Sequence, residues 1–85
     1  MRQQITDIVN RDFPEDKRVF VTECLSSLNL SHVMAESQYN LDNTLYAILY
    51  LAKGDVNEVE ELTERAKIDF RDVISWAMRE KQGSG

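Results

Sequence analysis

Apolar residues recur along the chain at spacings of three and four positions, and no stretch of alternating polar and apolar residues bounded by turns is found. Such spacing places the apolar side chains on one face of an α-helix, whereas alternation indicates a β-strand. We therefore predict an all-α protein, a compact single-domain bundle of about five helices with tight corners capped by Gly and Asp. The domain is expected to cover residues 1–82, and residues 83–85, Gly-Ser-Gly, to form a flexible tail of the kind that cloning appends.

Breaks in the apolar pattern separate the predicted helices. Pro14 disfavours helical backbone at the residue before it and suits the first turn of a new helix. Between the second and third helices the pattern is weaker, and one short turn capped by Ser31 is expected there. The predicted helices cover Arg2 to Arg11, Pro14 to about Leu28, Asn40 or Asp42 to Lys53, about Val56 to Ala66, and Phe70 to Gln82.

The corner after the third predicted helix has the residues of a helix end followed by a helix start. Gly54 comes just after the last apolar residue of the pattern, where glycine adopts a left-handed backbone without strain. Asp55 is a preferred N-cap, and Glu58 stands three residues later at the spacing of a capping box. Asp69 and Asp72 repeat this spacing before the last helix. We interpret both corners as structural rather than as ligand-binding loops.

Length and composition indicate one folded domain in a reducing compartment. The 85 residues allow a single domain, and the content of 42% hydrophobic and 29% charged residues is typical of a globular protein rather than a disordered chain. Cys24 is the only cysteine and therefore cannot form an internal disulfide, which favours a cytoplasmic location. No apolar run is long enough to span a membrane, and residues 1–13 lack the apolar centre of a signal peptide.

The charge distribution argues against a nucleic-acid partner. The net charge is −5, and residues 55–64 contain five acidic residues without a Lys or Arg. Residues 19–52 contain no Lys or Arg either. Because proteins bind the phosphate backbone mainly through Lys and Arg, we expect no nucleic acid to bind.

Candidate catalytic and metal-binding residues are few. Cys24 and His32 form the only available pair of nucleophile and base, but Cys24 falls in an apolar stripe, where burial lowers thiol reactivity, and His32 falls in a loop. One Cys and one His do not make a zinc site. Residues 55–66 do not match a calcium loop, because Glu60 replaces its glycine and Ala66 replaces its final glutamate. We expect no enzyme activity, no cofactor and no metal.

Aromatic and acidic side chains are the candidates for a functional surface. In the third predicted helix, five apolar residues between Leu41 and Ala52 share one face and two tyrosines share the opposite face. The single tryptophan projects to one side of the last helix, and glutamates cover the exposed arc of the fourth. Tyr and Trp are enriched at binding hot spots, and clustered acidic charge attracts basic partners. The candidate protein-binding residues are Tyr46, Tyr50, Trp76, Glu60, Glu61 and Glu64.

These residues favour a small acidic, non-catalytic protein-interaction module whose partner is an unidentified protein or a second copy of the chain. Three alternatives stay open: a self-associating homodimer, an acidic inhibitor or immunity-type protein that covers a basic site, and a small enzyme with a pocket that the sequence does not show. A purely structural interpretation is also open. In that interpretation the third helix is packed on both sides by its neighbours, and the glutamates serve solubility.

Residues 45–77, "LYAILYLAKGDVNEVEELTERAKIDFRDVISWA", resemble the C-terminal half of a group of small uncharacterised bacterial proteins with an "LAILKLAxGDxxxLxxxVxxAKxDxRDVLxxA"-type pattern. That resemblance implies a helical fold and brings no activity with it. The junction at Gly54-Asp55-Val56 is also similar to the corner between the last two helices of ubiquitin-associated domains, which bind ubiquitin through a short loop and adjoining helix faces. That family has a Met-Gly-Phe-type loop before its penultimate helix, where this sequence has "ESQYN".

Overall fold

The computed structural model describes residues 2–83 and contains α-helices and short 3₁₀ turns, with no strand among those residues. The all-α prediction is therefore confirmed. Gly83 is the last helical residue, so the last helix extends one position into the predicted tail, while Ser84 and Gly85 lie outside the described residues. The helices are α1 (Gln3–Asp12), α2 (Glu15–Ser26), α3 (Gln38–Ala52) and α4 (Val56–Gly83), and 3₁₀ turns at Leu30–His32 and Met34–Glu36 join α2 to α3.

The described residues form four helices, so the predicted count of about five was wrong. The two helices predicted after Gly54 form one element, α4, because helical backbone resumes directly after Asp69 without a loop. Asp69 alone has extended torsion angles, φ −156° and ψ 101°, and it kinks α4. A straight helix of 28 residues would be about 42 Å long, whereas the longest extent of the molecule is 33 Å. We call residues 56–68 the N-terminal arm of α4 and residues 70–83 its C-terminal arm.

The core of the bundle is built around α3. This helix packs against α1, against α4 and against both 3₁₀ turns, while α2 packs against α1 and α4. The apolar face predicted between Leu41 and Ala52 is buried, and burial of each large aliphatic side chain stabilises the fold by about 1.5–3 kcal/mol. The buried apolar residues are Ile5, Val9, Phe13, Val21, Leu25, Leu28, Val33, Leu41, Leu45, Ala47, Ile48, Leu49, Ala52, Val59, Leu62, Ala66, Val73 and Ala77.

The corner between α3 and α4 has the left-handed Gly54 and the Asp55 cap that were predicted, but the capping box is not closed, because the Asp55 amide donates to the Ala52 carbonyl oxygen at 2.9 Å and not to Glu58. Lys53 ends α3 in the left-handed region at φ 51°, and Gly54 follows at φ 82°. Asp55 caps α4, since its Oδ1 accepts hydrogen bonds from the backbone amides of Asn57, at 2.9 Å, and Glu58, at 3.3 Å. Hydrogen bonds to the free amide groups at the start of α4 stabilise this helix. The left-handed backbone at Lys53 and Gly54 turns the chain so that α4 packs against α3.

The segment before α3 differs from its prediction. Asn29, not Ser31, caps the first 3₁₀ turn, because its Oδ1 accepts a hydrogen bond from the Ser31 amide at 2.9 Å. Two consecutive residues that are not glycine, Ala35 at φ 59° and Glu36 at φ 49°, then have left-handed backbone. Such conformations cost roughly 1–2 kcal/mol for each residue with a Cβ. They redirect the chain into α3, which Ser37 caps.

Candidate functional site

The structure divides the six candidate residues among three places on the surface. Trp76 and Glu61 line one groove, and Tyr46 and Tyr50 line a second. Glu60 and Glu64 lie near Cys24, where their negative charges raise the pKa of its thiol. The single aromatic surface expected from the sequence is thus two separate grooves, each with its own charged residues.

The first groove, which we call the tryptophan groove, spans the kink in α4. Its volume is about 500 Å³, and its walls come from the end of α3 and from both arms of α4. Buried Leu62 and half-buried Leu51 give it an apolar floor beside the indole ring. Its two acidic side chains, Glu58 and Glu61, belong to the N-terminal arm. The residues that line the groove are Leu51, Glu58, Glu61, Leu62, Arg65 and Trp76.

Arg65 holds the two sides of the tryptophan groove together. Its Nη2 lies 3.2 Å from Oδ2 of Asp72, and its guanidinium carbon lies 5.7 Å from the centre of the Trp76 ring. Arg65 belongs to the N-terminal arm and both contacts reach the C-terminal arm, so they link the arms across Asp69. An ion pair and a cation–π contact at such exposure are each worth about 0.5–1 kcal/mol. The indole ring is half-buried and contacts Arg65.

The second groove, which we call the tyrosine groove, lies between α1, α3 and the C-terminal arm of α4. Its volume is about 450 Å³, and it continues into a smaller groove of about 240 Å³ that shares both tyrosines. Tyr46 is half-buried and packs against the core, whereas Tyr50 is just exposed. The residues that line the tyrosine groove are Ile8, Arg11, Asp12, Asn43, Tyr46, Leu49, Tyr50, Lys53 and Lys81.

Each cation of the tyrosine groove contacts a neighbouring side chain. Arg11 Nε lies 2.8 Å from Asp12 Oδ1, Lys53 forms an ion pair with Glu80, and the Lys81 ammonium lies 5.0 Å from the centre of the Tyr50 ring. The hydrogen bond to Glu80 and its charge raise the pKa of Lys53, and the hydrogen bond to Asp12 and its charge raise the pKa of Arg11. Both side chains are therefore charged at neutral pH.

The third place is the surface between α2 and the N-terminal arm of α4, where Cys24 is half-buried. Burial raises the pKa of the Cys24 thiol, and the negative charge of Glu60 raises it further. Glu64 adds a smaller effect of the same sign and is itself paired with Lys67, whose Nζ lies 2.9 Å from its Oε2. A thiol with a raised pKa is a weak nucleophile at neutral pH.

The remaining candidate chemistry has structural explanations. His32 Nδ1 accepts a hydrogen bond from the Asn29 amide at 3.1 Å, so the half-buried ring closes the first 3₁₀ turn. Over residues 2–83, no three side chains of His, Cys, Asp or Glu come together in a way that could hold a metal ion. Within the same range, no helix combines the length and the apolar character needed to cross a lipid bilayer.

Sequence reasoning missed the charged residues that line both grooves. The candidate binding residues do not include Glu58, Lys53, Lys81 or Arg65, although Arg65 follows Glu61 by four residues and thus shares its helix face. Helical spacing could have placed Arg65 beside Glu61, but no local pattern predicts which side chains of α1, α3 and α4 meet.

We compared the chain with known protein families, with curated proteins and with solved structures, and none of the three comparisons gave a significant match. The resemblances of residues 45–77 therefore stay predictions. Functional inference for this chain must come from the geometry and charge of its grooves.

Proposed function

We propose that the protein is a small non-catalytic interaction module whose tryptophan groove binds a basic, partly apolar segment of a partner protein. The observation that carries this proposal is that the only tryptophan of the chain lines a groove together with two glutamates, Glu58 and Glu61. We place the module in the cytoplasm, since its one cysteine has no second thiol with which to form an internal disulfide.

An apolar floor with an acidic rim supports binding of this kind of segment. Tryptophan supplies a large contact area, and residues of this type carry a disproportionate share of binding energy at interfaces. Rim carboxylates contribute mainly by raising the rate of encounter with a cationic partner and by repelling anionic ones. The net charge of −5 acts in the same direction at longer range. Glu60 and Glu64 would contribute to this field without contacting the bound segment.

The alternatives differ in what they require of the groove. An acidic inhibitor would use the same groove and the same kind of contact, with a basic functional site as its partner. A homodimer would require a mass of twice 9.9 kDa at moderate concentration, which sedimentation measures directly. A small enzyme would require a substrate that is turned over, and the chemistry of Glu58, Glu61 and Arg65 offers no activated nucleophile.

Selection from a random peptide display library tests the proposal without assuming a partner. We expect the selected peptides to combine Lys or Arg with Leu, Phe or another large apolar residue, and to change the fluorescence of Trp76 saturably. Selection of acidic peptides, or of none, would contradict the proposal. Affinity for a selected peptide is expected to fall as salt is raised, because exposed charges are screened over about 8–10 Å at 0.10–0.15 M ionic strength.

Matched variants separate the groove from the general charge of the protein. The double variant Glu58→Gln/Glu61→Gln removes two charges from the rim, and Glu15→Gln/Asp16→Asn removes two charges from the exposed start of α2. We expect the first to weaken peptide binding by about tenfold, which corresponds to 1.4 kcal/mol. We expect the second to weaken it much less. Equal losses in both variants would assign the binding to net charge and not to the groove.

A further inference from the structure

We infer that Arg65 is an autoinhibitory residue of the tryptophan groove, because it competes with the bound segment for the indole ring. Its guanidinium lies over the Trp76 ring, where a cationic side chain of a partner would otherwise stack. A segment that binds through such a stacked cation first displaces this guanidinium, so Arg65 sets the affinity that the segment reaches. The inference rests on the function proposed for the tryptophan groove and describes how that same site is regulated.

The indole ring already has a cation of the same chain beside it. Trp76 is half-buried and packs against the core, so only part of its surface lines the groove. The guanidinium carbon of Arg65 lies 5.7 Å from the ring centre. Cations bind aromatic rings at up to about 6 Å from the centre, so this is the distance of a cation–π contact. Arg65 therefore occupies ring surface that a partner's cation would use.

The acidic rim of the groove, in contrast, keeps its charges for a partner. Glu58 and Glu61 are exposed, and neither forms an ion pair with any residue from 2 to 83. Arg65 follows Glu61 by four residues, a spacing at which Arg and Glu often pair, yet its ion pair is with Asp72 on the other arm. The rim thus attracts a cation, and the ring surface that this cation would cover is taken by Arg65.

The contact between Arg65 and Trp76 is weak enough to be exchanged. The side chains of Arg65 and Asp72 are 48% and 40% exposed, and contacts at such exposure are near the weak end of their range. The ion pair with Asp72 does not involve the ring, so Arg65 can leave the indole and keep a carboxylate partner. Displacement therefore costs a bound segment part of its affinity and does not prevent binding.

The test compares peptide binding by the wild type and by Arg65 variants. Display selections run in parallel on the wild type and on Arg65→Gln supply basic peptides, and titration of Trp76 fluorescence gives each Kd. We expect Arg65→Gln to bind these peptides about three- to tenfold more tightly. Arg65→Lys keeps the charge but replaces the flat guanidinium by a more strongly hydrated ammonium, so we expect binding about twofold tighter than in the wild type.

Lys67→Gln is the matched control for the change in charge. Lys67 belongs to the same arm and is paired with the carboxylate of Glu64, but it is not among the residues that line the groove. Its replacement removes one positive charge and leaves one carboxylate unpaired, as Arg65→Gln does. We expect peptide affinity to change by less than about twofold, since only the general field of the protein is altered.

Quenching of Trp76 fluorescence by caesium ions examines the ring without any peptide. Trp76 is the only tryptophan of the chain, so the signal reports this one ring. Because a guanidinium over the indole repels a cationic quencher, caesium should quench Arg65→Gln more strongly than the wild type. Lys67→Gln should be quenched like the wild type, and the uncharged quencher acrylamide should differ much less among the three proteins.

The outcomes separate this inference from the proposed function. If basic peptides are selected but Arg65→Gln binds them no more tightly than the wild type or Lys67→Gln, the autoinhibitory role is overturned and the proposed function stands. Equal caesium quenching of the wild type and Arg65→Gln overturns it as well. If neither selection yields basic peptides, both proposals fall. Circular dichroism checks that the variants fold, and if Arg65→Gln does not, the comparison of Arg65→Lys with the wild type decides.

Discussion

Gly54 lies directly against the backbone carbonyl oxygen of Asp12. A Cβ placed on Gly54 would stand 3.1 Å from that oxygen, which is closer than nine in ten real Cβ contacts, so the neighbouring backbone would have to shift. The corner after α3 therefore touches the end of α1, and this approach brings Arg11 and Asp12 to the same groove as Lys53. Glycine at position 54 serves both the left-handed turn and the position of α1.

Replacement of Gly54 by alanine is expected to lower the free energy of unfolding by about 1–3 kcal/mol, since alanine is strained at φ 82° and its methyl group meets the Asp12 oxygen. Urea denaturation followed by circular dichroism measures the change. Gly83→Ala is the matched control, because a Cβ there meets nothing within 4 Å. A loss in Gly83→Ala as large as that in Gly54→Ala would show that glycine content, not the contact with α1, determines the effect.

Ala35→Gly is expected to stabilise the protein by about 0.5–1 kcal/mol, because it removes left-handed strain at an exposed residue and costs only part of that gain in chain entropy. Ser75→Gly, at an exposed helical position of α4, should destabilise by a similar amount. Thermal unfolding of the two variants should thus move in opposite directions from the wild type. Two shifts of the same sign would contradict the strain assigned to Ala35.

The two buried threonines make a matched pair for a prediction about hydrogen bonding. Thr44 Oγ1 donates to the Asn40 carbonyl oxygen at 2.7 Å, whereas the Thr63 hydroxyl has no hydrogen-bond partner among the described residues. Thr63→Val should therefore stabilise by about 1 kcal/mol, and Thr44→Val should destabilise by about 0.5–1.5 kcal/mol. Chemical denaturation of both variants checks this. If Thr63→Val is less stable than the wild type, the Thr63 hydroxyl must have a hydrogen-bond partner in solution.

Asp42 carries a buried carboxylate at the start of α3, and Arg2 pairs with it from the N-terminal side of α1. The Arg2 Nε lies 2.6 Å from Asp42 Oδ2, and Gln38 Nε2 donates to Oδ1 at 2.8 Å. A double-mutant cycle with Arg2→Gln and Asp42→Asn should give a coupling energy of about 0.5–1.5 kcal/mol, limited by the exposure of the arginine. The coupling should shrink in high salt. Additive single effects would exclude a contribution of this pair to stability.

The lowered pKa of Asp69 leads us to expect that part of the free energy of unfolding is lost at acid pH. Hydrogen bonds from the Arg71 side chain lower the pKa of Asp69, with a smaller contribution from the Arg71 backbone amide. A carboxyl group with a lowered folded-state pKa stabilises the fold above its unfolded-state pKa, about 3.9, and loses that contribution as the pH falls through the folded-state pKa. The difference in stability between wild type and Asp69→Asn should therefore shrink as the pH falls below about 4.

Arg71→Gln provides the control for this acid dependence. It removes the side-chain donors at 3.1 and 3.2 Å and leaves the backbone amide in place. In this background, Asp69→Asn should have a smaller effect at neutral pH and a weaker dependence on pH. An unchanged pH profile would mean that the guanidinium of Arg71 does not lower the pKa of Asp69.

Local pattern predicted the all-α class, the corner at Gly54-Asp55 and the break near Asp69, because the forces that select these features are local. The spacing of apolar residues from Leu41 to Ala52 requires a buried helix face, and Gly54-Asp55 ends one helix and starts another through backbone and capping preferences. The same preferences marked Asp69 as a break. They did not show that the break is one residue long, because resumption of the helix depends on how the C-terminal arm packs on α3.

The candidate surface was harder to predict, because it depends on which helix faces meet. Tyr46, Tyr50 and Trp76 were grouped by residue type, but the indole ring lies beside the N-terminal arm of α4, while the tyrosines lie between α1 and the C-terminal arm. Tyr46 is half-buried because it packs against the core, and the spacing of apolar residues in α3 alone does not predict this. Side chains from distant segments, such as Arg11 and Lys81, share a groove only after the chain has closed.

One pair of torsion angles governs the shape of the tryptophan groove. Glu58 and Glu61 come before Asp69 in α4, and Trp76 comes after it. The distance between the two carboxylates and the indole ring therefore depends on the backbone of Asp69, the one residue of α4 with extended torsion angles. Insertion or deletion of one residue there would turn Trp76 by about 100° around its helix axis. The length of the link at Asp69 therefore determines which face of the C-terminal arm is turned toward the glutamates, and the contacts of Arg65 with Asp72 and Trp76 hold that arrangement.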